Sequence, residues 1–455
     1  MDRISGPYPS PPLPFFKVTP LSARPKKEPG KVRLLHNLSH PYNSSAVNYN
    51  IPKHFASVTY QSISDAVDII NRLGKGCFLA KSDIESAFRL LPLRPSEYNL
   101  TGFYWEGYYF EKVLPMGSSS SCFIFEKFSD SLQYILYKKG VVHTVKVIDD
   151  FLIAGKDELQ CMKNLQTFIE LMGELGVPLA PHKTHLPATR MEFLGIILDT
   201  QNQTAHIPAE KASSYAEEIR THLENDSITL KNLESILGKL NHCIQIIPAG
   251  RAFLRRLYDL TIGHVKPFAQ IKLNKGAKED LRLWQNFLSQ NNSKPIDLNP
   301  YHISSPEINL GSDASDIGFS GTYGSRWIQG VWPPRWLEYS IALRELYPIF
   351  ALLSMFAYKF RNTKVNFICD NMAIVSIINA QTSKCPQIMN LLRPMILIFL
   401  NHNICFGATY INTKLNKLND KISRQEEDAC LLETHRMKPI AEVIPKNITP
   451  EEMWP

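Results

Sequence analysis

Val145-Lys146-Val147-Ile148-Asp149-Asp150-Phe151-Leu152-Ile153 is a pair of apolar half-strands around two adjacent acids. Such a pattern predicts a β-hairpin with both carboxylates at its tip. Two neighbouring carboxylates repel each other unless a cation lies beside them. A divalent ion with oxygen ligands, Mg²⁺ above all, answers that need. Taken alone, the pair also reads as an ordinary Asp-Asp turn in a solvated hairpin. Upstream, Asp83 ends the apolar run Cys77-Phe78-Leu79-Ala80 within KSDIESAFRL. An acid closing one strand and an acid pair on a neighbouring hairpin can build a two-metal site for phosphoryl or nucleotidyl transfer.

A second set of acids follows. Asp313 ends a strand among small residues in LGSDAS, and Glu345 lies on an amphipathic helix anchored by Leu343, Leu346, Ile349 and Phe350. Asp370 ends the strand KVNFICD, and Asp420 lies in LNKLNDKISR. Each alone reads as a cap or a solvent-facing acid. Together, two strand-end acids and two helix acids can converge on a pair of metal ions, where an activated water attacks a phosphodiester.

The 455 residues are too many for one core, and two to four domains are expected. An apolar fraction of 44% and a charged fraction of 20% exclude disorder along the whole chain. The net charge of +7 suits a nucleic-acid partner without requiring one. Eight cysteines are scattered with no Cys-x-x-Cys pair, which suggests reduced thiols and an intracellular protein, cytoplasmic or nuclear and not secreted. The start is expected not to be a signal peptide. The best membrane candidate, Leu391–Leu400, is broken by Arg393 and Pro394, so a soluble protein is expected.

Residues 1–30 read as an extended Pro-rich lead-in, and 31–204 as a mixed α/β domain. Leu230, Leu233, Leu237 and Leu240 recur at helical spacing behind Thr229, a good N-cap. The stretch 289–306 reads as a linker, 306–430 as a second α/β domain, and 431–455 as a tail.

KSDIESAFRLLPL, LPMGSSSSCFIFEKF, VIDDFLIAG, LAPHKTHL and MEFLGIIL stand in the order of the polymerase motifs of retroelement reverse transcriptases, which the chain resembles over most of 25–200. The resemblance implies a right-hand polymerase: fingers and palm over 31–204, a helical thumb over 205–245 and a connection over 246–305. It implies that Asp83, Asp149 and Asp150 hold two catalytic Mg²⁺ ions, with Mn²⁺ as a substitute. Phe88 falls where an aromatic ring lies under the sugar of the incoming nucleotide and favours dNTPs; core packing is the plain alternative. Met116 and Gly117, in LPMG, resemble the loop that contacts template and nucleotide, although most relatives carry Gln at Met116. Lys183 resembles the lysine that protonates pyrophosphate, and Phe193-Leu194-Gly195 the turn that grips the primer end. Lys26 and Arg33 fall where basic finger residues hold the triphosphate, with Lys27 and Lys31 as close competitors. Val147 replaces the usual tyrosine before the acid pair.

The segment 238–261 and the Ser-rich LPMGSSSSC loop look like DIRS-like elements, with gypsy-type and pararetroviral polymerases as neighbours. Partners implied are an RNA template, a DNA primer, the RNA–DNA hybrid, dNTPs, and a tyrosine recombinase and capsid-like protein of the same element, with no membrane. Arg251, Arg255 and Arg256 read equally as a solvated face or as phosphate contacts.

Residues 306–430 resemble retroelement ribonuclease H through GSDAS, the Glu345 helix, ICDN and the spacing of Asn416, Asp420, Ser423 and Arg424. The resemblance implies Asp313, Glu345, Asp370 and Asp420 as ligands of a second pair of Mg²⁺ ions, with Tyr410 where many relatives carry histidine. The expected function is synthesis of DNA on RNA or DNA templates, with cleavage of the RNA strand of hybrids. The rival is a domesticated nucleic-acid-binding protein of the same fold; its mark would be missing metal ligands, and none of the seven is missing.

Overall fold

Strand Phe78–Asp83 runs through the centre of a four-stranded antiparallel sheet, flanked by Asp150–Gly155 on one side and His185–Ala188 on the other. Strand Thr144–Val147 completes the sheet as the outer arm of a hairpin with Asp150–Gly155. In this computed structural model the described residues are 3–25, 30, 32–290, 293–295, 302–304, 310–361, 363–402, 404–426 and 443–453. They form two compact units, Met1–Thr204 and Ala205–Pro455.

In the first unit both faces of the sheet are covered, which is why its strands read as continuous apolar runs. Ala80, Phe151 and Ile153 point to one face, among Phe125, Leu132 and Leu136 of helix Ser121–Lys138 and Leu165, Phe168 and Met172 of helix Glu158–Glu174. The alternate residues Leu79, Leu152 and Ala154 are just as buried on the other face. Helix Ile63–Leu73 lies against the hairpin strands; its start is fixed by a capping box in which Ser62 and Asp65 bond each other's backbone N–H groups or their near neighbours. Removing a ring such as Phe168, fully buried here, would cost about 3–5 kcal/mol.

In the second unit, helices Ala209–Glu224, Leu230–Cys243 and Lys275–Gln290 precede a mixed sheet. Thr229 caps the second of these, its hydroxyl accepting from the Asn232 N–H at 3.2 Å, and the leucines at 230, 233, 237 and 240 are all buried, as their spacing predicts. Strand Gly311–Ala314 pairs antiparallel with Gly318–Tyr323, which pairs antiparallel with Arg326–Val331. Strands Lys364–Cys369 and Cys405–Tyr410 continue the sheet in parallel on the other side. Helix Ile341–Phe356 packs on the first two strands, and all but its ends is buried.

Two expectations need correcting, and a third gains detail. The segment most apt for a membrane by length and composition is Ile341–Phe360, not 391–400; 72% of its apolar window is buried inside the unit, as a core helix requires. The stretch 289–306 is not free of regular structure: short strands form at Ser293–Pro295 and His302–Ser304. Of the basic cluster held open between a solvated face and phosphate contact, Arg255 pairs with Asp259 at 2.6 Å, and Arg256 with Glu279 at 3.2 Å and buried Asp280 at 3.5 Å. Of the expected tail, residues 443–453 are described: the Trp336 indole and the Tyr347 hydroxyl donate to the Pro450 and Ile448 carbonyls, each at 2.8 Å.

Candidate active sites

The first acid set converges at one end of the first sheet. Antiparallel register sets Asp83 directly opposite Asp150, and Asp149 occupies the two-residue turn between Val147 and Asp150. Asp83 is buried, and its carboxylate accepts from Lys183 Nζ at 2.7 Å; Asp150 pairs with Lys81 Nζ at 3.3 Å. Burial pushes the Asp149 carboxyl up to about 6, helped by the charges of Asp83 and Asp150. Burial also raises Asp150, against the pull of Lys81. For Lys183, burial works against the charge, but its bond to Asp83 prevails and raises it.

Ile148, first in the turn, has φ of +56°, a left-handed conformation that a β-branched residue adopts at a cost of about 1–3 kcal/mol. Two residues of helix Ser121–Lys138 hold it: Glu126 Oε2 accepts the Ile148 N–H at 3.0 Å, and Ser129 Oγ donates to its carbonyl at 2.5 Å. Lys146, almost wholly buried, reaches Glu126 Oε1 and Asp130 Oδ1, each at 2.6 Å.

Met116 and Gly117 sit in a loop tied to the segment around residues 36–48. The Met116 carbonyl accepts from the His36 N–H at 2.8 Å, and Asn48 bonds both the Gly117 carbonyl and the Ser119 N–H at 2.9 Å. Gly117 has φ of +139°, and a Cβ there would lie 1.8 Å from the His36 carbonyl oxygen. Gly117→Ala must therefore displace backbone. A lowered melting temperature is expected, read by thermal denaturation against the wild type.

Phe88 packs edge-on against Phe125 with centroids 5.6 Å apart, so the plain core role holds at least in part. Phe193 is buried beneath a hairpin turn in which Leu194 and Gly195 both have positive φ, 48° and 77°. Arg33 is exposed on strand Val32–His36, opposite Arg24; Lys26, with its competitors Lys27 and Lys31, lies outside the described residues.

The second acid set is equally local. Asp313 accepts from Ser423 Oγ at 2.6 Å, and Asp420 from Arg424 Nε at 2.8 Å. The Asn416 amide donates to the Ser312 carbonyl at 3.0 Å, tying the Asp420 helix to the Asp313 strand. Burial lifts Asp313 to about 6, opposed by Ser423 and aided by Asp370 and Asp420. Burial lifts Glu345 to about 9, with Asp313 and Asp370 adding repulsion and Arg344 opposing it. Glu345 Oε2 and Asp370 Oδ1 are buried with no hydrogen-bond partner among the described residues. Orphaned carboxylate oxygens among mutually repelling acids fit divalent cations. In the first set Asp149 shares the repulsion, its carboxyl raised by burial and by the charges of Asp83 and Asp150. Cys369, whose sulfur lies within 4.8 Å of carboxylate oxygens of Glu345 and Asp370, went unnoticed in the sequence; its place just before Asp370 was the available signal. Tyr410 stands opposite Cys369 in register and is half exposed.

Residues 24–198 match the family described as reverse transcriptase (RNA-dependent DNA polymerase). Over these residues the chain is similar to reverse transcriptase domains of the retroelement, retroviral and pararetroviral type. It is 24% identical over 265 residues to the genome polyprotein of Petunia vein clearing virus, 58% of this chain and 11% of that one. It is 27% identical over 195 residues to the Pro-Pol polyprotein of feline foamy virus, 42% of this chain and 16% of that one. A solved foamy viral protease–reverse transcriptase in complex with double-stranded DNA superposes with a TM-score of 0.50 at 19% identity, covering 87% of this chain and 65% of that one. The chain thus spans under a fifth of these polyproteins and about two thirds of the solved chain. The fold class is multidomain mixed α/β with several sheets, an architecture that fits a polymerase followed by a ribonuclease H-like domain. The reverse transcriptase domain contains the whole first acid set; the second lies beyond residue 198.

Proposed function

We propose that this chain copies RNA and DNA templates into DNA and hydrolyses the RNA strand of RNA–DNA hybrids at a separate centre. The observation that carries this is the presence of two carboxylate sets, one in each compact unit, each with an acid raised by burial beside other acids. A carboxyl in that state gains from binding a cation, and oxygen-only sets of this kind select Mg²⁺, with Mn²⁺ as a substitute. When bound, such ions would lower the cost of charge at the attacking oxygen and the leaving phosphate.

The chain's own residues do the rest. Asp83, Asp149 and Asp150 would hold the ions at the polymerase centre, with Lys81 and Lys183 as the counter-charges exchanged. Lys183, half exposed, is free to swing from Asp83 and deliver a proton to pyrophosphate. Asp313, Glu345, Asp370 and Asp420 would hold the ions at the nuclease centre, while Ser423 and Arg424 orient two of them. Phe88 lies five residues beyond Asp83 and would exclude a 2′-hydroxyl. Phe88→Ala should raise incorporation of ribonucleotides relative to dNTPs by roughly 10²-fold; single-nucleotide insertion kinetics with each sugar measure it, and an unchanged ratio would confine Phe88 to packing.

We place the chain with DIRS-like elements on the 238–261 segment and the Ser-rich loop, with a recombinase and a capsid-like protein as partners. An intracellular site of action suits its seven free cysteines among the described residues. Primer extension with an RNA template, and hybrid cleavage on the same preparation, test the whole proposal.

A further inference from the structure

Lys146 and Glu126 form a deeply buried ion pair in the first unit, with side chains 1% and 6% exposed. Taking both from water is costly and is recovered only by complete hydrogen bonding. Here it is complete in a particular way. Lys146 Nζ bonds Glu126 Oε1 at 2.6 Å, the Glu126 carbonyl at 3.2 Å and Asp130 Oδ1 at 2.6 Å. That leaves the second oxygen, Oε2, turned to the Ile148 N–H at 3.0 Å. The backbone of Lys146 is also held, its N–H donating to Gln61 Oε1 at 2.8 Å. One turn later on the helix, Ser129 takes the Ile148 carbonyl.

Ile148 is thus gripped at both its N–H and its C=O by one helix, in a conformation its branched side chain resists, immediately before Asp149 and Asp150. We propose that the buried Glu126–Lys146 pair is a positioning device that locks the left-handed Ile148 turn and so sets the polymerase carboxylates. This deepens, and rests on, the polymerase function proposed above. Neither side chain is assigned contact with metal or nucleotide. Lys146 fixes which way the Glu126 carboxylate faces, and Glu126 fixes the turn. Without the pair, Ile148 can relax to an ordinary negative φ, and the Asp149 and Asp150 carboxylates rotate off their shared site.

The test uses Lys146→Gln, Glu126→Gln and the double change in the full chain. Primer-extension kinetics are read as kcat and KM for dNTP. Mn²⁺ affinity is read by electron paramagnetic resonance in an Asp370→Asn background, so that the polymerase centre dominates binding. Lys146→Gln is expected to weaken Mn²⁺ binding about tenfold or more and to lower kcat on the order of 10²-fold with KM nearly unchanged. The double change, which replaces the ion pair by two amides able to bond each other and the Ile148 N–H, should recover most of both losses. An unchanged far-UV circular dichroism spectrum and cooperative melting report that the variants are folded; where Lys146→Gln does not fold, Glu126→Gln carries the same readouts with a smaller expected loss. Folded variants with unchanged Mn²⁺ affinity and kcat, or a double change no better than the worse single one, would overturn the proposal. If the wild-type chain extends no primer, the polymerase function fails, while the Mn²⁺ measurement still decides whether the pair positions the acids.

Discussion

Glu345→Gln is expected to abolish hybrid cleavage and, without metal, to raise the stability of the second unit. Burial and two neighbouring acids lift the Glu345 carboxyl from an ordinary 4.5 to about 9. A raised acid makes the folded state hold more protons than the unfolded one, so stability falls as pH rises from 4.5 towards 9. At pH 7 the folded side chain is still protonated while the unfolded one is ionised, a difference of roughly 3 kcal/mol. Glutamine has the shape of the protonated acid and carries no such cost. In chelator, the variant should melt roughly 6–12 °C above the wild type at pH 7, and the two curves should converge near pH 4. Saturating Mg²⁺ should narrow the gap, because binding stabilises only the chain that keeps its ligands. A variant no more stable than wild type at pH 7 would mean that Glu345 is not held among repelling acids.

The second large effect concerns Asp149. Its carboxyl, raised to about 6, gives the same sign over a lower window: metal-free stability falls between pH 4 and 6 and is flat above. Asp149→Asn should therefore leave hybrid cleavage intact, match or exceed wild-type stability in chelator, and reduce primer extension on the order of 10³-fold or more. Metal affinity at the two centres should also respond differently to pH. The polymerase centre should gain little above pH 7, whereas the nuclease centre should keep tightening to about 9, as Glu345 must release its proton to bind a cation. Calorimetry in buffers of different ionisation enthalpy, on chains with one centre removed, measures that proton directly.

The parts of these sites that were legible in the sequence share a cause. Asp83, Asp149, Asp313 and Asp370 stand at or just beyond the ends of strand runs, which puts them at an end of a sheet. Glu345 is legible because its helix is apolar at every neighbouring turn, and Thr229 because an N-cap is a local device. What could not be seen depends on tertiary approach. Lys81 meets Asp150 only through cross-strand register, and Lys146 meets Glu126 across a helix–sheet contact. The acids that meet Arg255 and Arg256, namely Asp259, Glu279 and Asp280, are likewise brought there only by the fold. The positive φ of Ile148 goes against its residue type, and no propensity announces it. Gly117 is intermediate: a glycine after Met116 suggests a tight turn, but the His36 carbonyl that forbids a side chain comes from far upstream.

The central claim is that one chain contains two metal centres that work independently. It is tested most directly by measuring primer extension and hybrid cleavage on wild type, Asp150→Ala and Asp370→Ala in Mg²⁺. Loss of extension with retained cleavage in Asp150→Ala, and the reverse in Asp370→Ala, is the predicted result. Loss of both activities in both folded variants would contradict it.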